Sequence, residues 1–288
     1  MIKSTQYRPE LDGLRALAVI AVFLYHAELT LKGMNVLPGG FLGVDVFFVL
    51  SGFLITGILL EKPISLLSFY KSRIDRIYPA LLLMLFITCI AAYIFLVPKN
   101  LFTYIESLKG ALGFYSNYVF MNEDSYVADA SKYKPLIHTW TLGVEWQFYI
   151  AFPLIIIIIK KFFLKNTNEI LIFLFFSSFF YCLYLMNINM THAFYSTPSR
   201  VWELFFGGIV YLTSKKISSN RFDNYLSIIG LLIIIYSLLF FKDTDQTPGF
   251  ISLIAVIGTG LYILFTKPNS LIYKAMSFKP FVFIGIIS

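Results

Sequence analysis

Residues 11–30 read LDGLRALAVIAVFLYHAELT, an apolar run that nevertheless carries Asp12, Arg15 and His26. In a helix, eleven residues turn through about three turns plus 20°, so Arg15 and His26 share a face about 16 Å apart. Asp12 lies near that face. Ionisable groups inside a membrane are costly and usually face a cavity or a bundle interior. With Arg15 at a basic mouth, His26 is expected about halfway across, where an imidazole can accept a proton. The plainer use of such a histidine is a hydrogen bond to another helix.

Four more stretches carry groups of this kind. In SFYKSRIDRIYPA (68–80), Arg73 and Arg76 point the same way beside Lys71. Such a pair makes a forked donor for phosphate, or simply an anchor at the membrane face. Pro79 is expected in the first turns of that span, where its missing N–H does little damage. HTWTLGVEWQFYIAFP (138–153) buries Glu145 in an apolar span with Tyr149 one turn on, and His138 and Trp140 mark the outer interface. A buried glutamate needs a partner or a proton. Glu145 can orient an imidazole, bind a sugar hydroxyl or pair with Arg200. In STPSRVWELFFGGIVYL (196–212), Arg200 and Glu203 are spaced to pair with each other, while Gly207 and Gly208 permit close helix approach. Asp45 falls near the outer end of the second span, ahead of the small residues Ser51, Gly52 and Gly57, which suit packing or a cavity wall.

These residues need elements to hold them. Of the 288 residues, 58% are hydrophobic and only 14% charged, against about 25% charged in soluble domains. The expected fold is all-α, a polytopic transmembrane helical bundle in the lipid bilayer, because several runs approach the ~20 residues that span hydrocarbon. The first run lacks a small-residue cleavage pattern and reads as a retained span. A net charge of +7 reflects Lys and Arg in cytoplasmic loops rather than a nucleic-acid partner. Cys89 and Cys182 read as packing residues, neither a disulfide nor a metal pair.

Candidate spans fall at 14–30, 41–60, 75–97, 137–159, 168–187, 200–213, 224–241 and 248–266, with the start of a ninth near 280. The stretch 101–121 is long enough to cross but contains Glu106, Lys109 and two glycines. If it does not cross and the N-terminus is cytoplasmic, 16 of the 23 basic residues lie inside. Were it to cross, that bias would collapse. Residues 98–136 are therefore expected to form a long extracytoplasmic segment after span three.

Taken in order, these stretches resemble the membrane-bound acyltransferase type 3 family, the O-antigen acetylase group. The matching pieces are YRPELDGLRALAVIAVFLYHA (7–27), FLGVDVFFVLSGFLIT (41–56), the Arg-x-x-Arg at 73–76, HTWTLGVEWQFY (138–149) and SRVWELFFGG (199–208). The resemblance implies transfer of an acetyl or other acyl group from cytoplasmic acyl-CoA to a hydroxyl of an extracytoplasmic glycan such as O-antigen, capsule or exopolysaccharide. It implies a bacterial cytoplasmic (inner) membrane enzyme without a metal. It makes His26 the catalytic residue and places Arg15, Arg73 and Arg76 on the CoA side. Asp12, Asp45, Glu145, Tyr149, Arg200 and Glu203 are expected to bind substrate or support the site. His26 would act as general base or through a transient acyl-histidine. Family members have about ten spans, so a chain stopping in its ninth reads as a single acyltransferase domain incomplete at its C-terminus. The competing reading is a transporter or flippase with His26 and Glu145 as a proton relay; the halves show no inverted repeat, which weighs against it.

Overall fold

The computed structural model describes residues 7–31, 34–61, 65–123, 134–218, 220–242, 246–268 and 270–288. Lys3, Lys32, Lys62 and Lys132, four of the residues in the charge count, and the middle of the 98–136 segment lie outside the described residues. Among those described, the chain forms α1 (Pro9–His26), α2 (Gly43–Glu61), α3 (Leu66–Phe95), α4 (Pro98–Leu112), α5 (Ser116–Met121), α6 (Thr139–Phe162) and α7 (Thr167–Ile188). There follow α8 (Met190–Tyr195), α9 (Thr197–Ser214), α10 (Asp223–Phe240), α11 (Phe250–Phe265), α12 (Leu271–Met276) and α13 (Lys279–Ile287). One short antiparallel pair, β1 (Thr30–Leu31) with β2 (Met34–Asn35), interrupts the helices.

Each expected span falls on a helix, and five helices are long and apolar enough to cross a membrane: those within Gly40–Glu61, Leu66–Phe95, Thr139–Phe162, Leu164–Ile188 and Asp223–Phe240. Large apolar side chains line their outer faces, for example Leu83, Phe86, Tyr93 and Phe95 on α3 and Phe173, Phe180 and Tyr184 on α7. Such a surface needs hydrocarbon around it. The chain is a multi-pass membrane protein. Helices α1 and α9, of 18 residues each, carry the ionisable residues Glu10, Asp12, Arg15, Arg200 and Glu203. α11 is shorter, at 16 residues.

Burial ranks the helices. In its most apolar stretch α2 is 72% buried, whereas α3 is 17% buried. α2 is thus the axis of the bundle, packed by α1, α6, α9 and α11, and α3 is a peripheral helix. The α2–α9 contact is backbone to backbone. A Cβ on Gly52 would sit 1.9 Å from the Leu204 carbonyl oxygen, and one on Gly207 would sit 2.1 Å from that of Val49. Gly207 therefore does what its position in the sequence suggests, and Gly52 answers it from the facing helix.

Several boundaries differ from expectation. α1 ends at His26, not at 30. Ala27 closes the last turn on the Phe23 carbonyl at 2.9 Å, Glu28 takes a positive φ of 48°, and the Val36 N–H bonds the Leu29 carbonyl. His26 thus stands at the end of its helix, four residues before the expected end of the span. α3 begins at Leu66, nine residues before the expected start, because Ser65 caps it by accepting from the Ser68 N–H at 3.2 Å. Pro79 accordingly lies in the interior of a 30-residue helix. The stretch 101–121 is split into α4 and α5 around Phe114, whose φ is 57°. α4 folds back on the C-terminal half of α3, with Tyr104, Ala111 and Phe114 against Leu81, Leu85 and Ala92. Both cysteines are free: Cys182 is buried as expected, but Cys89 is exposed on α3.

Candidate active site

A cavity of about 490 Å³ runs between α2, α3 and α6. Val44 to Ile55 of α2, Arg73 to Met84 of α3 and His138 to Tyr149 of the α6 strand of the wall line it. Each stretch advances eleven residues, or about 16 Å along a helix. On the α6 side the lining residues His138, Leu142, Glu145 and Tyr149 are spaced four, three and four, a single helical face. Arg15 enters from α1, and Ile286, Ile287 and Ser288 from the end of α13.

The two ends differ in chemistry. Arg15, Arg73 and Arg76 gather at one end. The charge of Arg76 acts on Arg15, and those of Arg15 and Arg76 act on Glu145. Arg73 acts on Tyr149. Arg15 also donates to the Ser288 carbonyl at 3.1 Å. Arg73 lies over the Phe69 ring at 5.7 Å, and its Nε, shielded from solvent, has no hydrogen-bond partner among the described residues. Three guanidiniums held this close suit a polyanion. In the middle of the wall, Ser51 Oγ donates to Glu145 Oε1 and the Tyr149 hydroxyl donates to Ser51 Oγ at 3.4 Å. At the far end stands His138. His26 stands near it, and the Pro135 carbonyl accepts from the His138 ring.

Of the expected site residues, then, Arg15, Arg73, Arg76, Glu145 and Tyr149 meet in one cavity. His26 is exposed at the end of α1 with its ring edge-on to Tyr25 at 5.1 Å. It stands beside the cavity's His138 and is not itself among the lining residues described. Asp12 accepts from the Tyr7 hydroxyl at 2.7 Å, which pushes that phenol up to about 12.

Asp45, Arg200 and Glu203 form a separate, fully enclosed cluster. Arg200 Nη2 lies 3.3 Å from Asp45 Oδ1 and its Nε 3.2 Å from Glu203 Oε1. Glu145 is therefore not the partner of Arg200. Phe48, Trp140 and Phe194 surround the guanidinium at 5.4–5.7 Å. Trp140 is buried under this cation and is not an interface anchor. Next to it, Gln147 donates to Asn117 Oδ1 at 2.9 Å and Asn117 donates to Thr197 Oγ1 at 3.1 Å, tying α5 to α6 and α9.

Sequence reading placed Ser51 among small residues suited to packing or a cavity wall, which it lines, and His138 at the outer interface; it gave neither a chemical role, though a signal existed for both. His138 lies on the heptad-spaced face of Glu145 and Tyr149, and Ser51 is the hydroxyl of the small-residue stretch in α2.

A helical membrane bundle whose buried cleft runs from a guanidinium cluster to an imidazole suits a group-transfer enzyme with an anionic donor. Residues 8–288 match the family described as an acyltransferase domain, and the chain belongs to the acyltransferase type 3 family. O-acetyltransferase OatA of Staphylococcus aureus, strain NCTC 8325 / PS 47, is 31% identical over 98% of this chain and 49% of its own length. OatA of strain COL matches to the same extent. A provisionally named O-acetyltransferase of S. aureus strain MSSA476 is 32% identical over the same shares. The chain spans about half the length of these relatives. No solved structure matches it. Membership of an acyltransferase family weighs against the transporter reading.

Proposed function

We propose that the protein moves an acetyl group from cytoplasmic acetyl-CoA to a hydroxyl of an extracytoplasmic glycan, across the bacterial cytoplasmic membrane, with its N-terminus inside. The observation that carries this is the polarity of the cavity, arginines at one end and His138 at the other, with His26 beside it. Arg15, Arg73 and Arg76 hold the phosphates of CoA; the shielded, unpartnered Arg73 Nε is a donor for one of them. The pantetheine arm then lies along the cleft past Tyr149, Ser51 and Glu145, and carries the thioester toward His138 and His26. Asp12 sets the charge around Arg15. Asp45, Arg200 and Glu203 support the site by fixing α2 against α9.

His26 takes the proton of the acceptor hydroxyl as its oxygen attacks the thioester carbonyl carbon. The C–S bond breaks, and the proton passes to the departing thiolate. General-base help of this kind is worth about 10²–10⁴-fold. The names of the S. aureus relatives support O-acetylation. The test is to incubate membranes containing the protein with radiolabelled acetyl-CoA and glycan. Label is expected in alkali-labile O-acetyl groups, visible by NMR on surface glycans only when the gene is present. Label that never leaves CoA, or full transfer by His26→Ala, overturns the assignment.

A further inference from the structure

We propose that His138 is a second catalytic imidazole, which donates a hydrogen bond to the thioester carbonyl oxygen while His26 acts on the acceptor hydroxyl. This rests on the acetyltransferase reading above. The argument is geometric. His138 lines the cavity and His26 does not appear among its lining residues. Along the α6 face, His138 is eleven residues from Tyr149, about 16 Å from the arginine end. A donor anchored by its phosphates at that end presents its acyl group here, at the side from which an acceptor must arrive. The guanidiniums are then too far away to meet charge that develops on the carbonyl oxygen. The apolar neighbours on the same stretch of wall, Val44, Phe47, Leu142 and Met84, offer no donor, and the hydroxyls of Thr139 and Thr141 there already donate to the backbone carbonyls of Leu136 and His138. Exposed toward the cleft and at the N-terminal edge of α6, His138 is the residue placed to do so.

The role needs one N–H and no proton transfer: the Pro135 carbonyl holds a His138 ring N–H in the resting structure, and a neutral ring, which has one N–H, turns it from that carbonyl to the thioester oxygen. The hydroxyl proton goes to His26, the new O–C bond forms, negative charge gathers on the carbonyl oxygen against the His138 N–H, and collapse expels the thiolate, which recovers the proton. Acceptor hydroxyl and acetyl-CoA become ester and CoA, and both histidines end as they began. An oxyanion donor of this type is worth about 10²–10³-fold in turnover.

The experiment compares His138→Ala, His138→Gln and His26→Gln in the full chain, in membranes, with radiolabelled acetyl-CoA and glycan acceptor. Thermal unfolding of the detergent-solubilised proteins with CoA serves as the fold control. His138→Ala is expected to lose about 10²–10³-fold in kcat with little change in the KM for acetyl-CoA, since the contact is made in the transition state. His138→Gln keeps an N–H donor and is expected to recover a large part of the loss. His26→Gln cannot act as a base and stays inactive. A His138→Ala variant with wild-type kcat overturns the proposal. So does a His138→Gln variant as inactive as the alanine while retaining the wild-type thermal transition. If the alanine variant does not fold, the glutamine variant alone decides: substantial activity supports the donor role, and none in a folded protein refutes it. Absence of transfer by the unsubstituted chain defeats the acetyltransferase reading itself, and this inference with it.

Discussion

Arg73 and Arg76 stand on one face of α3, and their charges meet Arg15 and Glu145 beside the neutral Tyr149 hydroxyl. Charge reversal there, Arg73→Glu with Arg76→Glu, is expected to raise the KM for acetyl-CoA far more than that for the acceptor. Steady-state kinetics with each substrate varied in turn measures this; equal effects on both would assign the pair to folding. Arg200 poses a different question, because it is enclosed with two carboxylates and has no access to the cavity. Arg200→Ala leaves Asp45 and Glu203 buried together without a cation, a change that costs about 3–5 kcal/mol. The expected outcome is a large fall in the thermal transition and in the yield of folded protein. Normal stability with lost activity would instead give Arg200 a direct role in the reaction.

Among the elements, the α2–α9 contact determines where Glu145's partner Ser51 and the buried Arg200 sit. Gly52 and Gly207 face opposing backbone carbonyls, so neither tolerates even one methyl group without moving a helix. Gly52→Val and Gly207→Val are each expected to destabilise by about 1–3 kcal/mol or more. Activity should fall further than stability, because displacing α2 shifts Ser51 away from Glu145. Thermal unfolding and transfer rates on the same preparations check this. Gly208 meets side chains rather than backbone, the nearest being Thr56 Oγ1 at 2.9 Å from its notional Cβ, and Gly208→Ala is expected to be milder.

On the scale of the whole molecule, the break between α4 and α5 bears on topology. A 15-residue helix, α4, ends at Leu112 and is followed by the short α5. The pair lies against α3, α6 and α8 instead of forming one long rod. A reporter fused after Gly113 is therefore expected outside the cytoplasm, and one fused after Lys165 inside it. Finding both on the same side would overturn the proposed arrangement. The cleft spans the same depth on three helices, as the donor and acceptor proposed above, arriving from opposite faces, would require.

Much of this was legible in the sequence. Apolar length placed a helix at every expected span, because in hydrocarbon the backbone can satisfy its hydrogen bonds only within itself. The i, i+3 spacing of Arg200 and Glu203 and the glycine at 207 read correctly, since both depend on neighbours along one helix. The motif series pointed to the family, and that resemblance is what nominated His26. What local pattern could not decide was the partner of each buried charge. Arg200 takes Asp45, 155 residues away in sequence, and so leaves Glu145 to Ser51. The end of α1 at His26 depends on the β1–β2 pairing beyond it, and the unexpected interior place of Pro79 follows from the Ser65 cap. That His138 faces the cleft while His26 stands beside it follows from how α1, α2, α3 and α6 pack. Periodicity assigns a residue to a face of its own helix, but only the packing of the others decides whether that face meets lipid, protein or a cavity.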